Sequence, residues 1–251
     1  MHPFLLGLLA ASCAAQTPNL ELFLLVGQSN MAGRGIVEAA DREPIPGVYA
    51  LNKELAWTPA IDPVHFDKPY AGAGLGRWFA KTLKAANPSA SIGLIPCAAG
   101  GTSLNEWAPE GKLYADAVRR AREAMKSGRL RGILWHQGES DTGDEALARS
   151  YRERWTRFVE ALRRDLNAAE VPAMVGQLGE FTYKDRGGAM IFAPLVDEQL
   201  ATIPLHVPRT AFVSSAGLKH KGDKVHFDSA SLREFGRRYA LAYMSLSPEW
   251  R

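Results

Sequence analysis

Short apolar runs alternate with amphipathic stretches along most of this chain, and that alternation limits the possible folds more than any other feature. The apolar runs end in turn-forming residues, which is typical of buried strands, and the stretches between them have helical periodicity. Six such runs cover residues 20–26, 47–51, 91–95, 132–135, 172–177 and 210–214. Predicted helices cover about 72–87, 112–126, 144–167, 190–203 and 229–244. This order predicts an α/β protein with a parallel sheet covered by helices on both faces.

The composition is that of an ordinary globular protein and excludes several other classes. The chain has 251 residues, of which 46% are hydrophobic and 23% charged, with 30 basic and 27 acidic side chains. A dispersed net charge of +3 argues against a nucleic-acid partner. We find no repeat, linker or composition shift, so residues 16–251 are expected to form one domain. The oligomeric state cannot be derived from these features.

The first 15 residues, MHPFLLGLLAASCAA, resemble the apolar core of a secretory signal peptide. We expect cleavage near Gln16 and export to the periplasm or the exterior, with lipid attachment at Cys13 as a variant of this route. The apolar segment is too short for a stable membrane span. The alternative is an apolar N-terminus without a targeting role. Cys97 is the second of the two cysteines, so cleavage would leave no pair for a disulfide.

A serine follows the first strand at the position where open α/β sheets place their chemistry. The apolar run ends at Gly27, and Ser29 comes two residues later in the stretch GQSNMAGRG. By itself the stretch fits an ordinary strand-to-helix turn equally well. A catalytic serine would also need a base and donors to an oxyanion elsewhere in the chain.

Two further loops offer such donors. Gly101 follows the strand at 91–95, and Gln137 follows the strand at 132–135 within the block WHQGESD. The loops after parallel strands share one edge of the sheet, so we expect both to approach Ser29. The backbone N–H groups of Ser29 and Gly101 and the side-chain amide of Gln137 are suitable donors to an oxyanion. We interpret His136 as structural, because strand alternation directs it away from Gln137.

The loop before the last helix supplies the candidate base. His226 lies three residues after Asp223, a spacing that lets one turn bring the carboxylate to the imidazole. His226 could also be a simple helix-start residue, and Asp223 a turn former. Glu139 could be a buried partner for a nearby helix. The joint occurrence of these residues favours the catalytic interpretation over each separate alternative.

Four blocks in this order, GQSNMAGRG, GGTSLNEW, WHQGESD and DKVHF, resemble those of the SGNH hydrolase superfamily. Within it they are similar to the sialate O-acetylesterase-like branch, which includes the sixth carbohydrate-esterase family of acetylxylan esterases. The similarity spans residues 22–243. It implies a three-layer α/β/α sandwich of flavodoxin type with a central, mostly parallel, five-stranded sheet.

The resemblance also implies roles for individual residues. Ser29 would be the nucleophile, His226 the base and Asp223 its acidic partner. Ser29, Gly101 and Gln137 match the oxyanion positions, with Gln137 standing where the superfamily usually has Asn but agreeing with this branch. The family uses no metal or organic cofactor, and we see no metal-ligand spacing.

We therefore expect a serine esterase that removes O-acetyl groups from carbohydrates of the acetylxylan or sialic acid type. Glu139 is expected to be a supporting acid. Arg34 and Trp107 are candidates for sugar contacts, with a solvated arginine and a core tryptophan as the alternatives. An esterase for lipids or thioesters, which predicts a long apolar groove, stays open. So does a noncatalytic carbohydrate-binding protein, which would normally lack a member of the triad.

Overall fold

The computed structural model describes residues 19–184 and 190–250, and within them seven strands alternate with helices. The strands are β1 (Leu20–Gly27), β2 (Val48–Leu51), β3 (Trp57–Pro59), β4 (Ile92–Pro96), β5 (Gly128–His136), β6 (Ala173–Gly176) and β7 (Thr210–Val213). The α-helices are α1 (Ser29–Ala32), α2 (Ala39–Arg42), α3 (Leu75–Ala86), α4 (Lys112–Ala124), α5 (Glu145–Arg149), α6 (Tyr151–Asp165), α7 (Phe181–Lys184), α8 (Ala193–His206) and α9 (Ser229–Leu246). The signal-peptide prediction falls on residues 1–15, which lie outside this description.

The strands form one sheet in the order β3-β2-β4-β1-β5-β6-β7. All neighbouring pairs are parallel except β2 and β3, which are antiparallel. The α/β class and the mostly parallel sheet are confirmed, but the number of strands predicted, five, is wrong. The predicted run at 47–51 joins the sheet as β2. The three-residue β3 was missed because its short sequence, which ends in Pro59, lacks the pattern of a strand and is stabilised only as an edge.

The central strand β1 contributes side chains to two separate cores, as a strand between two helical layers must. Leu22, Leu24 and Val26 belong to one apolar cluster, with buried side chains of α4, α6 and α8. Phe23 and Leu25 belong to the other, with those of α3 and α9. All five side chains are inaccessible to solvent, and burial of each contributes about 1.5–3 kcal/mol. The predicted three-layer arrangement is therefore confirmed.

Some element bounds differ from prediction for local reasons. β5 begins at Gly128 rather than 132, because its polar first residues pair with β1 and Arg131 forms an ion pair with Glu21. The helix predicted over 144–167 is divided into α5 and α6 at Ser150. The Ser150 hydroxyl donates to the Ala146 carbonyl at 2.7 Å, a local bond that competes with regular helix geometry.

The sheet order places three predicted functional loops side by side. β4, β1 and β5 are adjacent, so the loops after their carboxyl ends, which carry Gly101, Ser29 and Gln137, lie at one edge. No helix among the described residues is long and apolar enough to cross a membrane. Cys97 follows β4 and is a free cysteine.

Candidate active site

Ser29 is the first residue of α1, directly beyond the carboxyl end of β1. The turn depends on Gly27, whose φ is +130° and where an added Cβ would lie 2.0 Å from the carbonyl oxygen of His136. Only glycine tolerates that conformation and that approach. The Gln28 N–H then donates to the same carbonyl oxygen at 2.9 Å. The predicted strand-to-helix turn thus holds the serine against the neighbouring strand β5.

Ser29, His226 and Asp223 form one hydrogen-bonded chain. His226 Nε2 lies 3.0 Å from Ser29 Oγ, and His226 Nδ1 lies 2.7 Å from Asp223 Oδ2. Partial burial tends to raise the pKa of the Asp223 carboxyl. Hydrogen bonds from the His226 and Val225 N–H groups and the His226 ring outweigh this and lower the pKa to about 2. Because an ionised carboxylate only accepts, Nδ1 carries the proton and Nε2 of the neutral ring can accept from Ser29.

Asn30 attaches the loop of His226 to the serine turn. Its Nδ2 donates to the carbonyl oxygen of Val225 at 3.1 Å, and its Oδ1 accepts from the N–H of Phe227 at 3.1 Å. These two backbone groups flank His226 on both sides. Asn30 is completely buried, so the contacts are shielded from competing water. The position of His226 relative to Ser29 is therefore set by the residue next to Ser29.

Glu139 reaches this arrangement through Asn30 rather than through His226. Its Oε1 accepts from Asn30 Nδ2 at 2.6 Å, and among the described contacts none joins it to His226. His136 Nδ1 lies 3.8 Å from the same oxygen, and burial lowers the pKa of His136, which keeps the ring neutral. The other ring nitrogen of His136 contacts the carbonyl oxygen of Gln177 at 3.1 Å, in agreement with a structural role.

The backbone N–H groups of Ser29 and Gly101 are available as donors. Both residues line one cleft, and neither N–H has a hydrogen-bond partner among the residues that the structure describes. Gly101 has a φ of +83°, which favours glycine. At Gly100 an added Cβ would lie 2.3 Å from Arg34 Nη2, and its N–H donates to Asp67 Oδ2 at 2.8 Å. Gly100 therefore packs against the wall while Gly101 faces the cleft.

The amide of Gln137 is directed into the protein interior. Its Nε2 lies 2.6 Å from Asp141 Oδ2 and 3.1 Å from both the Thr102 carbonyl oxygen and Gln28 Oε1. Its side chain has no exposed surface, and it does not line the cleft. The convergence of its loop on Ser29 agrees with prediction, but the amide itself faces away. Its assignment as an oxyanion donor stays a prediction, and the glutamine that lines the cleft is Gln28.

The two candidates for sugar contacts have different surroundings. Arg34 lines the cleft, but its Nη2 is paired with Asp67 Oδ2 at 2.7 Å, and its Cζ lies 5.3 Å from the centre of the Tyr70 ring. Lys68 and Tyr70 line the same cleft, and Tyr70 is 68% exposed. Arg34 is thus a fixed part of the wall, and the exposed side chains next to it are those of Lys68 and Tyr70.

Trp107 lies in the core, so the prediction that it contacts the sugar is wrong. The side chain is completely buried, its ring packs edge-to-face on Trp135 at 5.6 Å, and its Nε1 donates to Thr102 Oγ1 at 3.1 Å. The short 3-10 turn Leu104–Trp107 directs the ring under the loop of Gly101. Trp107 supports the cleft from beneath and has no surface to offer a sugar.

Comparison with known proteins shows which family the chain belongs to. A family model described as carbohydrate esterase, sialic acid-specific acetylesterase, matches residues 19–245. The chain belongs to this family of carbohydrate esterases. The chain is also similar to the probable carbohydrate esterase At4g34215 of Arabidopsis thaliana. The two sequences are 34% identical over 248 residues, which cover 91% of this chain and 92% of the relative.

Solved structures agree with membership in the sialic acid-specific acetylesterase family. The X-ray structure of the Arabidopsis protein has a TM-score of 0.82 at 32% identity and covers 91% of this chain and 99% of its own. NanS has a TM-score of 0.75 at 19% identity, and the match covers 92% of this chain and 98% of NanS. XAC1771, a carbohydrate acetylesterase from Xanthomonas citri, has a TM-score of 0.70 at 20% identity. The match covers 91% of this chain and 57% of XAC1771. The last two support the fold alone, and the predicted family and SGNH-type fold are confirmed.

Three polar residues near Ser29 and Gln137 were not predicted from the sequence as part of the site: Gln28, Asn30 and Asp141. Asn30 binds the loop of His226, because its Oδ1 accepts from the N–H of Phe227. All three are buried, and buried polar side chains need partners. The sequence feature that could have identified them is their position inside GQSNMAGRG and WHQGESD, the blocks that contain Ser29 and Gln137. Among the described residues we find no group of three or more acidic, histidine or cysteine side chains arranged to hold a metal ion.

Proposed function

We propose that this protein is a serine esterase that removes O-acetyl groups from carbohydrates through an acyl-enzyme. The observation that carries the proposal is the continuous chain from Asp223 through His226 to Ser29, with contacts of 2.7 and 3.0 Å. It provides a nucleophile, a base within hydrogen-bond reach and an acid that orients the base. A noncatalytic carbohydrate-binding protein would have no need for this alignment.

In the first half-reaction Ser29 Oγ attacks the acetyl carbonyl carbon while His226 Nε2 accepts the hydroxyl proton. The negative charge that develops on the carbonyl oxygen is stabilised by the backbone N–H groups of Ser29 and Gly101. The C–O bond to the sugar then breaks, and His226 returns its proton to the departing sugar oxygen. The sugar leaves with a free hydroxyl, and the acetyl group stays on Ser29.

In the second half-reaction water takes the place of the sugar hydroxyl. His226 accepts a proton from the water, whose oxygen attacks the acetyl carbon of the acyl-enzyme. Collapse of the second tetrahedral intermediate breaks the bond to Ser29 Oγ, which recovers its proton from His226. Asp223, with its pKa of about 2, stays ionised through both steps and stabilises the imidazolium.

The shape and lining of the cleft favour an acetylated sugar over a lipid. Its volume is about 340 Å³, and its wall carries Arg34 and Lys68. This volume lies near the lower end of small-molecule sites, and a long acyl chain would need a larger apolar groove. The exposed ring of Tyr70 at the rim is a suitable platform for the apolar face of a sugar. We propose xylan-type and sialic acid-type acetyl esters as the substrate classes.

The test is acetate release from a panel of esters by the purified protein and by the Ser29→Ala variant. Acetylated xylan, O-acetylated sialic acid and p-nitrophenyl esters of increasing acyl length separate the substrate classes. We expect acetyl esters of sugars to be preferred and Ser29→Ala to lose roughly 10³-fold or more in kcat. Ser89→Ala, at an exposed serine far along the chain, is the matched control and should behave like the wild type. A loss within tenfold for Ser29→Ala, or preference for long acyl chains, would overturn the proposal.

A further inference from the structure

The loop between β7 and α9, which carries Asp223 and His226, folds back on itself as a short hairpin. His220 and Phe227 form an antiparallel bridge between its two arms. One step nearer the tip, the Lys221 N–H donates to the carbonyl oxygen of His226 at 2.9 Å. Asp223 therefore lies at the tip of this hairpin, between Lys221 and His226.

The backbone at the tip has an unusual conformation. The two residues that flank Asp223 both have a positive φ, which is +116° at Gly222 and +59° at Lys224. Glycine adopts such angles freely, but a residue with a side chain, such as lysine, rarely does. All three residues are exposed, so packing in the core does not hold the tip in this conformation. Hydrogen bonds within the hairpin must do so.

Two of these bonds go to a second histidine, His220. Its Nδ1 accepts from the Gly222 N–H at 2.9 Å and from the Lys224 N–H at 3.3 Å. A ring nitrogen that accepts carries no hydrogen, so the neutral ring has its proton on Nε2. The ring packs edge-to-face on the buried ring of Phe181, with 5.3 Å between the two centroids. His220 thus holds the backbone on both sides of Asp223 from a fixed position.

The same backbone conformation decides where the Asp223 carboxylate points. Oδ1 accepts from the N–H groups of Val225 and His226 at 2.9 and 2.8 Å, and Oδ2 lies 2.7 Å from His226 Nδ1. If Lys224 returned to a negative φ, the peptide between Asp223 and Lys224 would rotate. The two N–H groups would then move away from Oδ1, and the carboxylate would lose its fixed direction toward the imidazole.

We propose that His220 is a positioning residue for the Asp223–His226 pair, because its Nδ1 holds the turn in which Asp223 reaches the ring of His226. The inference rests on the esterase function proposed above. The two histidines of the hairpin then have different roles, since His226 takes part in proton transfer and His220 is an acceptor for the main chain. Any side chain that places an acceptor at the position of Nδ1 should therefore replace His220.

The variants His220→Asn and His220→Leu test the acceptor separately from the ring. Asparagine Oδ1 is bonded to Cγ, as Nδ1 is in histidine, so it can accept from the same two N–H groups. Leucine has no acceptor, and both variants lose the aromatic contact with Phe181.

We expect kcat for p-nitrophenyl acetate to fall by roughly 10- to 10²-fold in His220→Leu with KM nearly unchanged, because small misplacements of catalytic groups have effects of that size. His220→Asn should stay within about threefold of wild type, because the acceptor is retained. His206→Leu, at the exposed histidine that ends α8, is the matched control and should behave like the wild type.

Rescue by asparagine is the result that a purely structural role of the ring would not give. Equal losses in the two His220 variants, with both folded by circular dichroism, would show that the packing on Phe181 is what matters and would overturn the proposal. Wild-type kcat in His220→Leu would also overturn it, because Asp223 would then hold its turn unaided. So would a rise in KM alone, which would assign the hairpin to substrate binding.

The rate at which a fluorophosphonate labels Ser29 is a second readout, because it depends on His226 but not on the identity of the ester. This rate should fall with kcat in His220→Leu and recover in His220→Asn. A wild-type protein that neither releases acetate nor is labelled would refute the esterase function itself. A labelled wild type whose rate is unaffected by His220→Leu would refute only the role of His220.

Discussion

Two carboxylates lie near His226, and they differ in burial and in how they are connected to the histidine. Asp223 is three residues from His226, contacts it directly at 2.7 Å, and has a side chain that is 36% exposed. Glu139 is buried, comes from the loop after β5, and contacts Asn30, which lies 109 residues away in sequence. The first carboxylate acts on the ring of His226. The second acts on the backbone around it, through Asn30.

The difference shows that different residues set the orientation of the His226 ring and the placement of its backbone. Asp223 and the N–H groups of Val225 and His226 form a self-contained turn that sets the tautomer of the imidazole. That turn alone does not bring His226 to Ser29. The placement depends on buried contacts of Asn30 that join distant parts of the chain. Substitution of each contact in turn tests whether Asp223 and Asn30 have these separate effects on His226.

Asp223→Asn should have the largest effect. The amide would favour the wrong tautomer of His226 and would not stabilise the imidazolium, which can lower kcat by up to about 10⁴. The measurement is kcat on p-nitrophenyl acetate, with Asp228→Asn, at the cap of α9, as a control for the loss of a nearby carboxylate. The double variant with Glu139→Gln should be little worse, since Asp223 orients the ring of His226 and Glu139, through Asn30, supports the backbone around the same residue. A smaller loss than that of Glu139→Gln would reverse the roles of the two acids.

Asn30→Ala should rank second. It leaves the Val225 carbonyl and the Phe227 N–H without their partner, so His226 is no longer held at its distance from Ser29. We expect kcat to fall by roughly 10- to 10²-fold with a modest change in KM, because small misplacements of catalytic groups have effects of that size. Asn87→Ala, on the loop after α3, serves as the control. Unchanged kcat in a folded Asn30→Ala protein would show that the turn at Asp223 places the histidine by itself.

Glu139→Gln should have a smaller effect, less than about tenfold in kcat. The glutamine Oε1 can still accept from Asn30 Nδ2, so only the additional strength of a charged acceptor is lost. Glu139→Ala, which removes the acceptor, should be more damaging than Glu139→Gln. Equal effects of the two variants would mean that the contact with Asn30 is unimportant, and that the charge is what matters.

The smallest effect concerns stability in acid. The folded-state pKa of Asp223, about 2, lies below the ordinary value of about 3.9, so its ionised form stabilises the folded protein above pH 4. That contribution is lost as the pH falls toward 2. Because the side chain is more than a third exposed, solvent screening keeps the contribution small. The Tm difference between wild type and Asp223→Asn should therefore shrink between pH 5 and pH 3. A difference that grows in acid would contradict the lowered pKa.

Features that depend on nearby residues could be predicted from the amino-acid sequence. Alternation of apolar runs and helices indicated the α/β class, and the three-residue spacing of Asp223 and His226 indicated a pair that the structure brings to 2.7 Å. The positions of Ser29 and Gly101 after strands were enough to place them at one edge, because parallel strands end together. These inferences succeed because each depends on neighbours in sequence or on a general property of sheets.

Features that depend on partners distant in sequence could not be predicted and became visible in the folded protein. β3 exists because an antiparallel partner is available at the edge, and Trp107 is buried because helices α4 and α6 cover it. The direction of the Gln137 amide depends on Asp141 and on the Thr102 carbonyl, and the latter comes from a different loop. The side-chain amide of a glutamine can donate hydrogen bonds to groups on either side of the main chain. Which side it faces is settled by the acceptors that folding brings to it, and residue identity alone does not contain that information.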